Sequence, residues 1–119
     1  MGVIHRYKGD FDWEGVSPSE EMKGVSLRWL IGPAEEAYNF ALRYFEIEPG
    51  SSTSIDQHAH DHGVVILRGR GQVLLGEEKF EVGFGDVVYI PPYEVHQVKN
   101  VGDEPLGFLC VIPPKEKSK

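Results

Sequence analysis

Five histidines occur in the chain, and His58, His60 and His62 fall within five residues of one another. Imidazole nitrogens are the commonest protein ligands for Zn, Cu, Fe and Ni. In an extended strand, residues i and i+2 point to the same face. A strand over residues 54–60 therefore makes His58 and His60 a two-point clamp that needs two more ligands from elsewhere. His62 either continues that face or sits where the chain turns, since Gly63 and a fresh apolar run (Val64, Val65, Ile66, Leu67) follow it. Both geometries can aim it at a common centre. The competing reading is a pH-sensitive surface cluster, because a lone strand histidine usually does no more than make a hydrogen bond. Three in five positions favour the metal. His96 lies well downstream, and His5, in a loose N-terminal stretch, is assigned no role.

The elements that must position these side chains are short. Residues 1–23 read as irregular, with Asp, Ser, Pro and Gly interrupting each apolar cluster; Phe11 and Trp13 there are expected to pack over the domain or a partner subunit rather than act as a lid. From Gly24 onward the text is strand-like: residues 25–31, 39–48, 54–60, 64–67, 72–75, 79–82, 87–90, 95–99 and 106–112. Gly32-Pro33, Pro49-Gly50, Gly69-Arg70-Gly71, Gly76-Glu77-Glu78, Gly83-Phe84-Gly85 and Pro91-Pro92 punctuate them. Residues 33–37 have room for one helical turn. No longer helix is left to cover a sheet, so the sheet closes on itself or packs on another. On the last strand Leu106, Phe108, Cys110 and Ile112 alternate and point inward. A buried free cysteine there is expected to be a small hydrophobe. On the 39–48 strand either Arg43 or Tyr44 enters the interior.

With 119 residues, the chain has room for one domain. Apolar residues at 40% and charged ones at 26% place it among soluble globular proteins rather than disordered ones. A formal charge of −7 argues against nucleic acid or an anionic membrane as partner, and no apolar run approaches a spanning helix. The N-terminus lacks the apolar stretch of a secretory signal. One cysteine cannot make an internal disulfide, which fits a cytoplasmic location. Scarce Asn, Gln, Cys and Met beside plentiful Glu and Lys lean toward a thermophile. Residues 115–119 are expected to be a frayed tail.

Residues 50–69, GSSTSIDQHAHDHGVVILRG, resemble the first motif of the cupin superfamily: a glycine, a spacer, His-x-His, a further ligand, and a strand ending in glycine. Residues 85–100, GDVVYIPPYEVHQVKN, resemble the second, with its glycine, proline, histidine and asparagine. Two motifs in order make the resemblance specific, and it extends more softly to residues 23–32, 45–50 and 108–113. The stretch from His60 to Gly69 is about two residues shorter than is usual in the family. Counting back seven from Gly69 lands on His62, where the family normally has glutamate. Tyr93 replaces a glycine that often precedes the second-motif histidine by three, a change that bears on loop shape.

The resemblance implies an all-β, single-domain cupin (jelly-roll) barrel over residues 24–114, with residues 1–23 as an arm packing on the barrel or a partner. It also implies a four-histidine site of His58, His60, His62 and His96, as in small single-domain cupins from thermophiles, with the third ligand open by a residue or so. The ion would be one divalent transition metal (Mn, Fe, Ni, Cu, Zn or Co), and the assembly a homodimer. Four neutral imidazoles leave the ion its full charge, a strong Lewis acid with about two open positions. That favours a metal-dependent enzyme, dioxygenase-like, acting on a small organic molecule. The alternatives are a non-catalytic module that binds a small ligand and a structural dimer with an incidental metal, and fold does not choose among them. Glu94, two before His96, is a candidate loop carboxylate for proton transfer.

Overall fold

The computed structural model describes residues 2–114, so the tail reading for residues 115–119 lies outside the described residues. Strands β1 (Tyr7–Gly9), β2 (Asp12–Trp13), β3 (Pro18–Met22), β4 (Val25–Ile31), β5 (Ala41–Ile47), β6 (His62–Arg68), β7 (Gly71–Leu75), β8 (Glu78–Val82), β9 (Val87–Ile90), β10 (His96–Asn100) and β11 (Leu106–Ile112) follow in chain order. The only helical turn among the described residues is a 3-10 turn at Pro33–Glu35. One antiparallel sheet has the order β3-β4-β5-β11-β6-β9, a second has β10-β7-β8, and β1-β2 is a separate hairpin. This is the all-β jelly-roll arrangement expected.

Alternation on the long strands decides what faces in. On β11 Leu106, Phe108, Cys110 and Ile112 are buried, and each lies opposite an inward residue of β5: Ile47, Phe45, Arg43 and Ala41. Phe45 and Phe108 stack at 5.2 Å between ring centres. Across from them Val73 and Val98 bring the second sheet into the same core. The register therefore sends Arg43 inward and Tyr44 outward, resolving the choice that alternation alone left open.

Tyr44 is nevertheless fully buried. Phe11 stacks on its ring at 5.7 Å and Trp13 tilts against it at 5.3 Å, so the N-terminal hairpin covers part of the outer face. Gly107 lies directly under the Tyr44 hydroxyl, where a Cβ would collide with it. Phe11 and Trp13 thus pack over the barrel.

Two expectations need correction. Residues 1–23 are not irregular throughout: β1 and β2 are too short to show alternation, and β3 is an edge strand entered through Pro18, where a missing N–H is tolerated. Conversely, residues 54–60 form no strand. The chain there runs beside β10 through single bridges, Ser52 to Lys99 and Asp56 to His96. Between them side chains take up the pairing groups: Thr53 Oγ1 accepts the Val98 N–H at 3.0 Å, and Gln97 Nε2 donates to the Thr53 carbonyl at 3.0 Å.

Asn100 locks the far end. Its Nδ2 donates to the carbonyls of Ile47 and Glu104, both at 2.8 Å, and its Oδ1 accepts the Gly102 N–H at 2.9 Å. One buried side chain thereby ties the end of β10 to β5 and to the β10–β11 loop.

Candidate metal centre

His62 opens β6 on the inward face, in line with Val64 and Ile66, and is buried. His96 opens β10 and is also buried. His58 and His60 lie on the irregular segment before β6, half-buried. The Tyr93 N–H donates to the His58 carbonyl at 2.6 Å, and Gln57 Nε2 donates to the Tyr93 carbonyl at 2.7 Å. These bonds hold the histidine segment against the β9–β10 loop. Tyr93, where the family often has glycine, sits at φ 66°, the left-handed region that glycine fills without strain.

The four imidazoles form a contiguous cluster. Ring centres are 5.0 Å apart for His58 and His60, 5.3 Å for His58 and His62, 5.2 Å for His58 and His96, 4.8 Å for His60 and His62, and 4.9 Å for His62 and His96. Donor atoms of His58, His62 and His96 all lie within 4.8 Å of one another. Nitrogens about 2.1 Å from one ion span up to about 4.2 Å, so small side-chain rotations complete the convergence. His60 stacks flat on His58 and stands beside this triad rather than within it. The expected mechanism, two side chains on one strand face, is not what joins them; a loop turn does so.

The donor set suits a transition metal. His62 Nε2 is buried with no hydrogen-bond partner, an arrangement that costs free energy unless something binds there. Its Nδ1 lies 3.5 Å from Cys110 Sγ; a donated Nδ1–H leaves Nε2 as the lone-pair atom. His96 Nδ1 lies 2.9 Å from the Glu94 carbonyl. A carbonyl only accepts, so Nδ1 carries the proton and Nε2 is the free donor atom. Burial, followed by the neighbouring His96 and His60, pushes His62 down to about 3. Burial, followed by His58 and Arg43, also lowers His60. Both are therefore neutral near pH 7, the form that ligates metal.

His58, His62 and His96 line a cavity of about 210 Å³ walled by Phe45, Ile90, Val98 and Phe108, and His60 stands outside its lining. Cys110 lines it too and is more than a small hydrophobe: besides His62, it meets Arg43 Nη2 at 3.4 Å. Burial raises its thiol above the ordinary range, opposed by the Arg43 charge. The Glu94 carboxylate is not in the cavity wall; it lies by the turn at Gly76, 3.4 Å from where a Cβ there would stand. The acidic residue that does belong to the cavity lining is Asp56.

A family model described as cupin domain matches residues 43–112. The chain is a cupin. It is 33% identical over 105 residues to the uncharacterized protein MJ1618 of Methanocaldococcus jannaschii, covering 87% of this chain and 84% of that one. A cupin 2 conserved barrel domain protein from Rhodopseudomonas palustris superposes with a TM-score of 0.81 at 35% identity, covering 93% of this cupin and 80% of the other chain. The cupin is also 45% identical over 71 residues to the 1-methylthio-D-xylulose 5-phosphate methylsulfurylase of Rhodospirillum rubrum. That match takes in 60% of this chain but only 46% of the methylsulfurylase, so it spans about half of that enzyme. Among the described residues, no helix is long and apolar enough to cross a membrane.

Proposed function

We propose that this cupin is a metal-dependent enzyme. In this reading His58, His60, His62 and His96 hold one divalent transition metal ion, and a small organic molecule is transformed beside it. The observation that carries the reading is the convergence of the His58, His62 and His96 donor atoms, with His62 Nε2 buried and unpartnered. His60, stacked on His58, is the fourth ligand in this proposal. A relative named for a xylulose 5-phosphate compound supports a small organic substrate.

When bound, such an ion supplies Lewis acidity and, as Fe, Mn or Cu, a redox couple, which is the basis for a dioxygenase-like reaction. The chain's own groups do the rest. The Glu94 carbonyl and Cys110 Sγ fix which nitrogens of His96 and His62 face the cavity. Phe45, Ile90, Val98 and Phe108 give the reacting centre an apolar wall. Asp56, an acidic residue of the cavity lining, would be the group that moves a proton in this reading. The working unit is a cytoplasmic homodimer, a reading supported by the single cysteine and by exposed Val87, Tyr89 and Val111 on the outer sheet face.

The test is reconstitution with Fe(II), Mn(II) or Cu(II), followed by O₂ uptake and product analysis over a panel of small aromatic and carbonyl compounds. Turnover with one metal, abolished in His62→Ala, is the expected result. Ligand-dependent thermal stabilisation with no product under any metal would make the protein a binding module instead.

A further inference from the structure

On its cavity face β5 presents Ala41, Arg43, Phe45 and Ile47, and Arg43 is the one cation among them. A guanidinium carries five N–H donors and no acceptor. Arg43 gives one hydrogen bond, to the weak acceptor Cys110 Sγ, and its Nε is buried with no partner. No carboxylate among the described residues pairs with it, whereas Arg28 meets Asp12 at 3.5 Å and Arg68 meets Glu46 at 3.6 Å. Asp56 lines the same cavity without closing on Arg43.

What holds Arg43 in place is aromatic. Its guanidinium lies 4.8 Å from the centre of the Phe45 ring and 5.5 Å from that of Trp29. Ring faces orient a planar cation without neutralising it. The fold therefore keeps a positive charge with unused donors in a half-enclosed cavity, inside a chain whose net charge is −7. Such a charge is costly unless something anionic completes it.

We infer that Arg43 is an anion-binding residue: the cavity takes a small molecule whose carboxylate or phosphate lies against its guanidinium, with the rest of the molecule toward His58, His62 and His96. Both anions offer paired oxygens that match the guanidinium fork. A cavity of about 210 Å³ is smaller than the usual drug-sized pocket and suits a compact metabolite. The position of the reacting end rests on the metal reading above; the anion site does not.

The experiment measures binding of pyruvate, methyl phosphate and the neutral ester methyl pyruvate to metal-stripped and zinc-loaded protein. Trp29 fluorescence reports binding in a Trp13→Phe background, and calorimetry repeats it in the unaltered chain. One of the two anions is expected to bind, the ester at least about tenfold more weakly; which anion binds separates carboxylate from phosphate. Arg43→Met should lower that affinity by about tenfold or more with zinc uptake unchanged, and Arg43→Lys should restore part of it. Arg43→Gln serves if Arg43→Met fails to fold. Equal binding of ester and anion, unchanged anion affinity without the guanidinium, or no anion binding in either form would overturn the inference. Arg43-dependent anion binding in a chain that takes up no zinc would sink the metal reading alone.

Discussion

Cys110 is the side chain through which the cavity's two unusual groups communicate. Its sulfur lies 3.5 Å from His62 Nδ1 and 3.4 Å from Arg43 Nη2. If the thiol orients His62 as a ligand, Cys110→Ala should weaken metal affinity by about tenfold, while Cys110→Ser, able to make the same contacts, should keep most of it. Competition with a chelating dye reads both, and equal affinities for the two variants would show that the thiol is only filling space. Residue identities made much of this legible beforehand. Spacing singled out His58, His60 and His62, and resemblance to the cupin motifs added His96. Asp56 and the unpaired state of Arg43 were not legible, because both follow from how distant segments of the chain pack around the cavity.

The β9–β10 loop shows how an element sets the site. Tyr93 spends conformational energy at φ 66° to place the N–H that holds the His58 carbonyl. Tyr93→Gly removes the left-handed strain, roughly 1–2 kcal/mol, and gives part of it back as unfolded-chain entropy. A rise in stability of about 0.5 kcal/mol is expected from urea unfolding; a clear loss would mean that the tyrosine ring contributes packing of its own. Strand positions from β4 onward were readable from alternation and turn residues, down to the inward set on β11. The segment of residues 54–60 was not. Its i, i+2 histidines mimic strand periodicity, yet Thr53 and Gln97 side chains satisfy the groups that a ladder would use. The short strands β1 and β2 escaped for a simpler reason, having too few residues to show any period.

For the whole molecule, among the described residues, the outer face of the six-stranded sheet is covered at one end and open at the other. Phe11 and Trp13 shield Tyr44, while Val87, Tyr89 and Val111 remain exposed. If that open end is the homodimer contact, Val87→Asp with Tyr89→Asp should convert a dimer to a monomer in sedimentation velocity. Dimers that persist in the double variant would place the interface elsewhere. Trp13→Ala, by contrast, should cost about 2 kcal/mol of stability through the lost cover on Tyr44, leaving ligand binding intact. Thermal unfolding and calorimetry separate these effects.

In the proposed centre, imidazoles from the loop before β6 and from the first residues of β6 and β10 share one ion. Metal-stripped protein dialysed against Mn, Fe, Co, Ni and Zn in turn, then analysed by plasma mass spectrometry, tests it directly. About one ion per chain is expected for at least one metal, and almost none in His96→Ala. An unaltered chain that retains no metal, or a His96→Ala chain that retains as much as the parent, would contradict it.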